Sequence, residues 1–201
     1  RNVNLQNVPK RNDLAKEFRK MLVAAPGHVL IEADSAAIEA VLVGYAAGDP
    51  DYIRMAKAGV HDFLTSHMVG KPAEFSWPDE KLIPFLKQIK KEHKDVREAA
   101  KRCVHASNYL MSPFGMHDEY AEFFPTTRKA QEMQDFYFGL FPKVRAWHKS
   151  TLERAHRDGF LDNHFNYRHY FWHVLKYNSE TKTFDLGDDA KRAVAFVPQS
   201  D

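Results

Sequence analysis

The segment from Arg97 to Tyr109 constrains this chain more than any other stretch. It places a basic group, an imidazole or a phenol at every fourth position: Arg97, Lys101, His105 and Tyr109. Successive residues of an α-helix are rotated by about 100°, so a four-residue step drifts by only about 40° and the four side chains form one stripe. Cations and flat rings in a row suit a nucleoside triphosphate. A solvated basic helix face is the alternative interpretation.

The bulk composition is that of an ordinary globular protein. The chain has 201 residues, 44% of them hydrophobic and 28% charged, enough for one core or for one domain with a lobe. A net charge of +2 does not by itself indicate a nucleic-acid partner. The basic residues are nevertheless concentrated in one segment, at Lys87, Lys90, Lys91, Lys94, Arg97, Lys101 and Arg102.

Cysteine content and hydropathy indicate an intracellular protein. The single Cys103 excludes an internal disulfide, and we expect it to be a buried structural thiol in a reducing compartment. No run reaches the length of a membrane span, and the N-terminus has no signal-peptide pattern. We therefore expect a cytoplasmic location, in a bacterium or a phage-infected host.

Glycine, proline and polar breaks divide the chain into mostly helical segments. The pattern predicts helices over residues 13–22, 35–47, 51–58, 61–69, 80–92, 95–109, 127–139, 142–158 and 188–197. A β-like run covers residues 28–34, strand signals follow at 168–175, and a turn is expected at Asn178 and Ser179. The predicted fold class is therefore helix-rich α/β, of the α+β kind.

Asp34 is the strongest candidate for a metal ligand. It ends the apolar run that begins at His28, and Glu39 follows five residues later on the predicted helix. A carboxylate at a strand end is held rigidly, and oxygen ligands suit Mg²⁺. A helix-capping role is the alternative for Asp34, and a surface position is the alternative for Glu39.

Several separated motifs together resemble the family A DNA polymerases, of the bacterial polymerase I or related phage type. Residues 34–39 (Asp-Ser-Ala-Ala-Ile-Glu) are similar to the family pattern D-Y-S-Q-I-E, and residues 97–109 to R-x3-K-x3-F/Y-x3-Y-G. Residues 4–9 (Asn-Leu-Gln-Asn-Val-Pro), 136–147 and 195–200 match further family segments in the same order. The resemblance covers nearly the whole chain.

The resemblance implies a template-directed DNA polymerase that adds deoxynucleotides to a primer 3′ end with two Mg²⁺ ions. It implies that Asp34 and the Ser35 carbonyl bind metal, and that Arg97 and Lys101 are catalytic, Lys101 as the acid for pyrophosphate. Nucleotide contacts are implied for Ser35, Glu39, His61, Arg97, Lys101, His105 and Tyr109, with Glu39 bonded to Tyr109 and crowding the ribose 2′ position. DNA contacts are implied for Gln6, Asn7, Arg168 and Gln199.

The same resemblance implies the domain organisation. Residues 1–49 would belong to the palm, 50–155 to the fingers lobe and 156–201 to a return to the antiparallel palm sheet. Two departures stand out. The stretch between His61 and Arg97 carries an insertion that includes Trp77, and His105 replaces an aromatic ring. Because an imidazole titrates near neutrality, we predict nucleotide affinity that depends on pH.

Two-metal transfer also needs a second carboxylate, which the family supplies from a His-Asp-Glu on a hairpin. This chain has such a triplet at residues 117–119, but it follows the fingers helix too closely, so we expect a polar helix start there. The family's element would come after residue 200. We therefore expect a truncated piece, a proteolytic product or half of a split enzyme with a second polypeptide, inactive alone.

Two further hypotheses remain open from the sequence. One is a non-catalytic nucleic-acid-binding or complementing subunit, and the other is an unrelated basic helical RNA-binding protein. The eleven histidines lack a recognised zinc spacing.

Overall fold

The computed structural model describes residues 13–31 and 37–200, which belong to two compact units divided between residues 35 and 36. In the first unit, helix α1 spans Asp13–Lys20 and carries ion pairs from Lys16 to Asp13 (2.9 Å) and from Lys20 to Glu17 (2.6 Å). The strand predicted over 28–34 is wrong for its first four residues, His28–Ile31, which form no strand. An apolar run becomes a strand only where a neighbouring strand pairs with it, and within the described residues none pairs with this one.

The second unit is predominantly helical, as predicted. Its helices are α2 (Ile38–Ala46), α3 (Pro50–Ala58), α4 (Val60–Met68), α5 (Asp79–Glu92), α6 (Lys94–Asn108), α7 (Pro113–Glu119), α8 (Thr127–Leu140), α9 (Pro142–Asp158) and α10 (Ala190–Ser200). The helix predicted from residue 35 begins only at Ile38, because Ala37 has a left-handed backbone with φ 53°.

Local capping explains several of these starts. The Asp49 carboxylate accepts a hydrogen bond from Tyr52 N (3.2 Å), and Pro50 occupies the first turn of α3. The Thr126 hydroxyl accepts one from Lys129 N (3.2 Å) at the start of α8. Gly159, with φ 75°, ends α9 in the left-handed conformation that favours glycine.

The polar helix start predicted for residues 117–119 is wrong. His117, Asp118 and Glu119 are the last residues of α7, whose N-cap is Ser112. The Ser112 hydroxyl accepts a hydrogen bond from Gly115 N (3.1 Å), so the helix begins several residues earlier. The His117 ring is bonded through Nδ1 to Phe124 O (2.7 Å).

Two small antiparallel sheets complete the second unit. Strand β1 (Phe160–Asp162) pairs with β2 (Arg168–Tyr170), and β3 (Leu175–Asn178) pairs with β4 (Thr183–Leu186). The strand signal predicted over 168–175 is interrupted because the Asp189 carboxylate accepts hydrogen bonds from Trp172 N (2.9 Å) and His173 N (3.2 Å). A helix-rich fold with small antiparallel sheets confirms the predicted fold class.

One hydrophobic core joins the helices of the second unit. Helix α6 packs against α4 and α8, and α10 packs against α2 and α9. Tyr52, Phe63, Tyr137 and Phe141 are fully buried in this core. Cys103 is also buried, as predicted, and burial raises the pKa of its thiol to about 12, so it is no nucleophile.

Candidate nucleotide-binding site

Helix α6 presents two chemically different faces. Ala99, Ala100, Cys103 and Val104 turn into the core, with the remaining buried positions at Ala106, Ser107 and Asn108. The predicted stripe lies on the other side. Along this stripe, Lys101 is exposed, the His105 side chain is 52% exposed and the Arg97 side chain is 21% exposed. Tyr109 is half-buried directly after the helix.

Helix α4 brings His61 to this stripe. The pKa of His61 is lowered to about 4, first by burial and then by the charges of Arg97, Lys101 and His105. His61 is therefore a neutral imidazole at physiological pH, close to the cations that the sequence pattern predicted. The structure thus brings together residues that are 36 or more positions apart in the chain.

The neighbouring Asp62 holds Arg97. Its Oδ1 accepts a hydrogen bond of 2.5 Å from Arg97 Nε, and the Asp62 side chain is 9% exposed. Burial raises the pKa of Asp62, an effect that the bond to Arg97 and the charge of Lys90 oppose. Gly59 leaves room for this carboxylate, since a Cβ there would lie 2.9 Å from Asp62 Oδ2. Sequence reasoning missed Asp62, although its place beside His61 was a usable signal.

Helices α2 and α10 border the ring end of the stripe. Glu39 Oε2 lies 3.7 Å from His105 Nδ1, and the His105 and Tyr109 rings meet edge to face at 5.0 Å. The buried Tyr109 hydroxyl makes no hydrogen bond of normal geometry with the described residues. Burial and then the charge of Glu39 raise its pKa, while Gln199 opposes the change. Glu39 and Tyr109 are thus neighbours, and the bond between them that the family resemblance implies stays a prediction.

A buried polar network holds the C-terminal end of α6 on its core side. The Tyr137 hydroxyl donates to Asn108 Oδ1 (2.6 Å), Asn108 Nδ2 donates to the Tyr52 hydroxyl (3.0 Å), and the two hydroxyls are 3.0 Å apart. His148 Nε2 is 2.9 Å from Asn108 O. Burial lowers the pKa of His148 to about 4, so its ring is neutral and donates this bond. This buried hub of Tyr52, Asn108, Tyr137 and His148 fixes the residue just before Tyr109.

Comparison with known proteins identifies the family. The sequence model described as "DNA polymerase family A" matches residues 1–199. The chain belongs to this family.

Curated relatives of the family A chain are bacterial DNA polymerases I. The thermostable DNA polymerase I of Thermus aquaticus is 32% identical over 83% of this chain and 18% of its own length. The DNA polymerase I of Mycobacterium tuberculosis is 26% identical over 97% of the chain and 19% of its own length. The chain thus spans about a fifth of the relatives it matches.

A solved structure shares the fold. The POL domain of Pol1 from M. smegmatis, determined in complex with DNA primer-template and dNTP, superimposes with a TM-score of 0.66. The match covers 97% of the family A chain and 31% of that domain's chain, at 22% sequence identity.

Two of the four residues predicted to contact DNA, Arg168 and Gln199, lie within the described residues. Arg168, on β2, pairs through Nε and Nη2 with both Asp162 oxygens at 2.8 Å, and its guanidinium stacks 3.7 Å from the Phe160 ring. This pairing raises the pKa of Arg168. Gln199, on α10, lines an open cavity of about 260 Å³. Gln6 and Asn7 lie outside the described residues.

The predicted metal ligands Asp34 and Ser35 also lie outside the described residues. Within residues 13–31 and 37–200, no group of three or more His, Cys, Asp or Glu side chains is arranged to hold a metal ion. In the same residues, no helix is long and apolar enough to cross a membrane.

Proposed function

We propose that this chain is the nucleotide-binding part of a template-directed DNA polymerase, which transfers deoxynucleotides to a primer 3′ end. One observation carries the proposal: in a family A chain, His61, Arg97 and Lys101 converge on one open face beside the rings of His105 and Tyr109. Phosphoryl transfer requires mainly positioning and charge neutralisation. This face offers both.

Each residue of the face has a role that follows from its chemistry. Lys101 is exposed and makes no ion pair with the described residues, so its ammonium is available to a triphosphate and could pass a proton to pyrophosphate. Arg97 is oriented through Nε by Asp62, and its terminal nitrogens, of which Nη1 lies 3.9 Å from Glu98 Oε1, are within reach of phosphate oxygens. The neutral His61 donates a hydrogen bond without adding charge. Glu39 and Tyr109 border the sugar and limit the space for a ribose 2′-hydroxyl.

Magnesium belongs to this proposal through Asp34 and the Ser35 carbonyl, which are oxygen ligands of the kind that Mg²⁺ prefers. Two bound ions would supply charge neutralisation for the departing and attacking oxygens. Because the second carboxylate that such a pair requires is not identified in this chain, we also propose that the 201 residues alone do not extend a primer.

The partners proposed are primer-template DNA and deoxynucleoside triphosphates, supported by the complex in which the M. smegmatis POL domain was solved. In this proposal residues 50–155 form the fingers lobe between palm segments 1–49 and 156–201, with Gln6, Asn7, Arg168 and Gln199 along the DNA. The second polypeptide predicted from the sequence has no support in the comparisons and is not part of the proposal.

Nucleotide binding tests the proposal directly. A fluorescent dNTP is titrated into the chain and followed by anisotropy, for the wild type and for Lys101→Ala. We expect Lys101→Ala to weaken binding at least tenfold, because an unpaired cation facing the triphosphate is lost. Lys149→Ala removes another exposed lysine, which lies on α9, and should bind like the wild type. Equal affinity of the wild type and Lys101→Ala would refute the proposed site.

A further inference from the structure

A basic cleft lies between helices α5 and α6, beside the nucleotide face. It encloses about 490 Å³ and is lined by charged side chains: Lys87, Lys90, Lys91, Lys94, Asp95, Arg97 and Glu98. The four lysines are exposed, and none of them forms an ion pair with the described residues. We call this set of lining residues the lysine cleft.

The two carboxylates that line the lysine cleft, Asp95 and Glu98, offset only part of its five cationic side chains, which leaves a net charge of +3. Glu98 Oε1 is 3.9 Å from Arg97 Nη1, and the neighbouring Glu92 pairs through Oε2 with Lys71 Nζ (3.8 Å) and His93 Nε2 (3.9 Å) rather than with a lysine of the cleft. Lysines three or four positions apart on a helix repel one another. A bound polyanion would relieve this repulsion and release condensed counterions.

The shape of the lysine cleft favours an extended polyanion over a single small anion. Lys87, Lys90 and Lys91 extend over about 6 Å along the end of α5, and Lys94 begins α6 beyond the break at His93, so the lysines extend past a single phosphate group. Lysine ammonium groups are flexible point charges, which suit backbone phosphates, and the cleft offers no hydroxyl side chains for a fixed coordination shell.

The lysine cleft is also continuous with the nucleotide face. Arg97 lines the cleft and belongs to the stripe on α6, while Lys90 is close enough to oppose the pKa rise of Asp62. A strand lying in the cleft would therefore reach the Arg97 end of the nucleotide face, where the cations lie. Most of the cleft lies in the stretch between His61 and Arg97, where the resemblance to the family predicts an insertion.

From these observations we propose that the lysine cleft binds the phosphate backbone of single-stranded DNA. This binding requires neither a nucleotide nor the activity proposed above, so the two proposals stand or fall separately. Base identity has no part in it, since the lining residues are charged and present no exposed ring for stacking.

The test uses a fluorescein-labelled dT20 oligonucleotide and the full chain, with anisotropy measured at several salt concentrations. The variant Lys87→Ala/Lys90→Ala/Lys91→Ala should bind at least tenfold more weakly. Each lost phosphate contact lowers the salt slope of log K by roughly 0.7, so the slope should fall by about 2. The control Lys129→Ala/Lys143→Ala/Lys149→Ala carries the same charge change on α8 and α9 and should keep both values.

Two further measurements keep the outcome decisive. The charge-retaining variant Lys87→Arg/Lys90→Arg/Lys91→Arg should bind like the wild type, and Lys101→Ala should weaken dNTP binding without changing the oligonucleotide salt slope. If the alanine triple variant melts normally and keeps the wild-type affinity and slope, the lysine cleft is only a solvated face. If it loses tripolyphosphate binding but not dT20 binding, the cleft holds a small anion and the proposal is overturned.

Discussion

The two faces of helix α6 differ in whether their polar side chains have partners. On the inner face, the buried hub satisfies its side-chain polar groups with partners from α3, α8 and α9. On the outer face, Lys101 is unpaired and the Tyr109 hydroxyl has no normal hydrogen bond within the described residues. Buried polar groups are expensive to leave unmatched, so the inner face contributes stability. The outer face keeps the unpaired ammonium of Lys101 exposed, where a ligand can reach it.

This contrast separates residues that position the site from residues that contact a nucleotide. The pair of Asp62 and Arg97 joins the two classes. Asp62 is buried and positions the site, and the guanidinium of Arg97 that it orients is the group that contacts the nucleotide. Substitutions on the inner face should therefore change stability first, and substitutions on the outer face should change affinity with little effect on stability.

The largest effect is expected for Asn108→Ala. It removes the acceptor for Tyr137 and the donor to Tyr52, leaving two buried hydroxyls with only each other. We expect the free energy of unfolding to fall by about 2–4 kcal/mol, measured by urea denaturation. Gln131→Ala truncates an exposed amide on α8 and should change it by less than about 0.5 kcal/mol. An undiminished stability of Asn108→Ala would mean that the hub is not what holds α6.

A pH series sharpens the same contrast at His148. Its pKa is about 4 in the folded chain and near 6.5 when unfolded, so below pH 6.5 the unfolded state binds the extra proton and folding loses stability. The loss should reach about 2 kcal/mol between pH 7 and pH 5 and be complete below pH 4. His61 contributes in the same direction.

The measurement for this prediction is urea denaturation at pH 7, 6 and 5. His148→Gln should flatten the pH dependence of the free energy of unfolding, whereas His156→Gln, an exposed histidine on the same helix, should leave it unchanged. A slope that His148→Gln does not alter would show that the buried imidazole is protonated as readily in the folded chain as in the unfolded one.

Substitutions of Asp62 test whether this buried carboxylate positions Arg97 for nucleotide binding. Without its carboxylate the Arg97 side chain regains rotational freedom, so Asp62→Ala should weaken dNTP binding by about tenfold. Asp62→Asn keeps an acceptor for Nε and should lose less. The anisotropy titration described for Lys101 measures both, and Glu98→Ala removes the more distant carboxylate as a control. Tighter binding by Asp62→Ala would reveal that Asp62 competes with the triphosphate rather than orienting Arg97.

Sequence patterns predicted local structure well, but they did not predict which distant segments contact each other. The break at Gly48, Asp49 and Pro50 located the start of α3, since proline and a capping carboxylate act within one turn. The four-residue spacing on α6 likewise placed Arg97, Lys101 and His105 on one face. A strand over 28–31 and a helix start at 117–119 were wrong, because strand partners and an upstream cap decide those elements.

The parts of the site that the sequence did not predict all depend on pairing across helices. Asn108 and Tyr137 are 29 positions apart, and Asp62 and Arg97 are 35 apart. Side chains of these types are common in any helix, and only tertiary packing makes them partners. The roles of Asp34, Ser35, Gln6 and Asn7 remain predictions, because those residues lie outside the part of the chain that the structure describes.

The smallest effect is expected at His105, which stands where the family pattern has Phe or Tyr. Its Nδ1 lies 3.7 Å from Glu39 Oε2, so the ring stands beside the carboxylate that borders the nucleotide face. An imidazole can gain a proton where the family's Phe or Tyr cannot, so we predict nucleotide affinity that depends on pH when it is measured between pH 8 and pH 6. His61 does not contribute to this change, because its pKa near 4 keeps it neutral throughout that range. His105→Phe should abolish the dependence, whereas His156→Phe should keep it. If His105→Phe retains the wild-type pH profile, the imidazole acts only as a ring, and the outer face owes its charge to Arg97 and Lys101 alone.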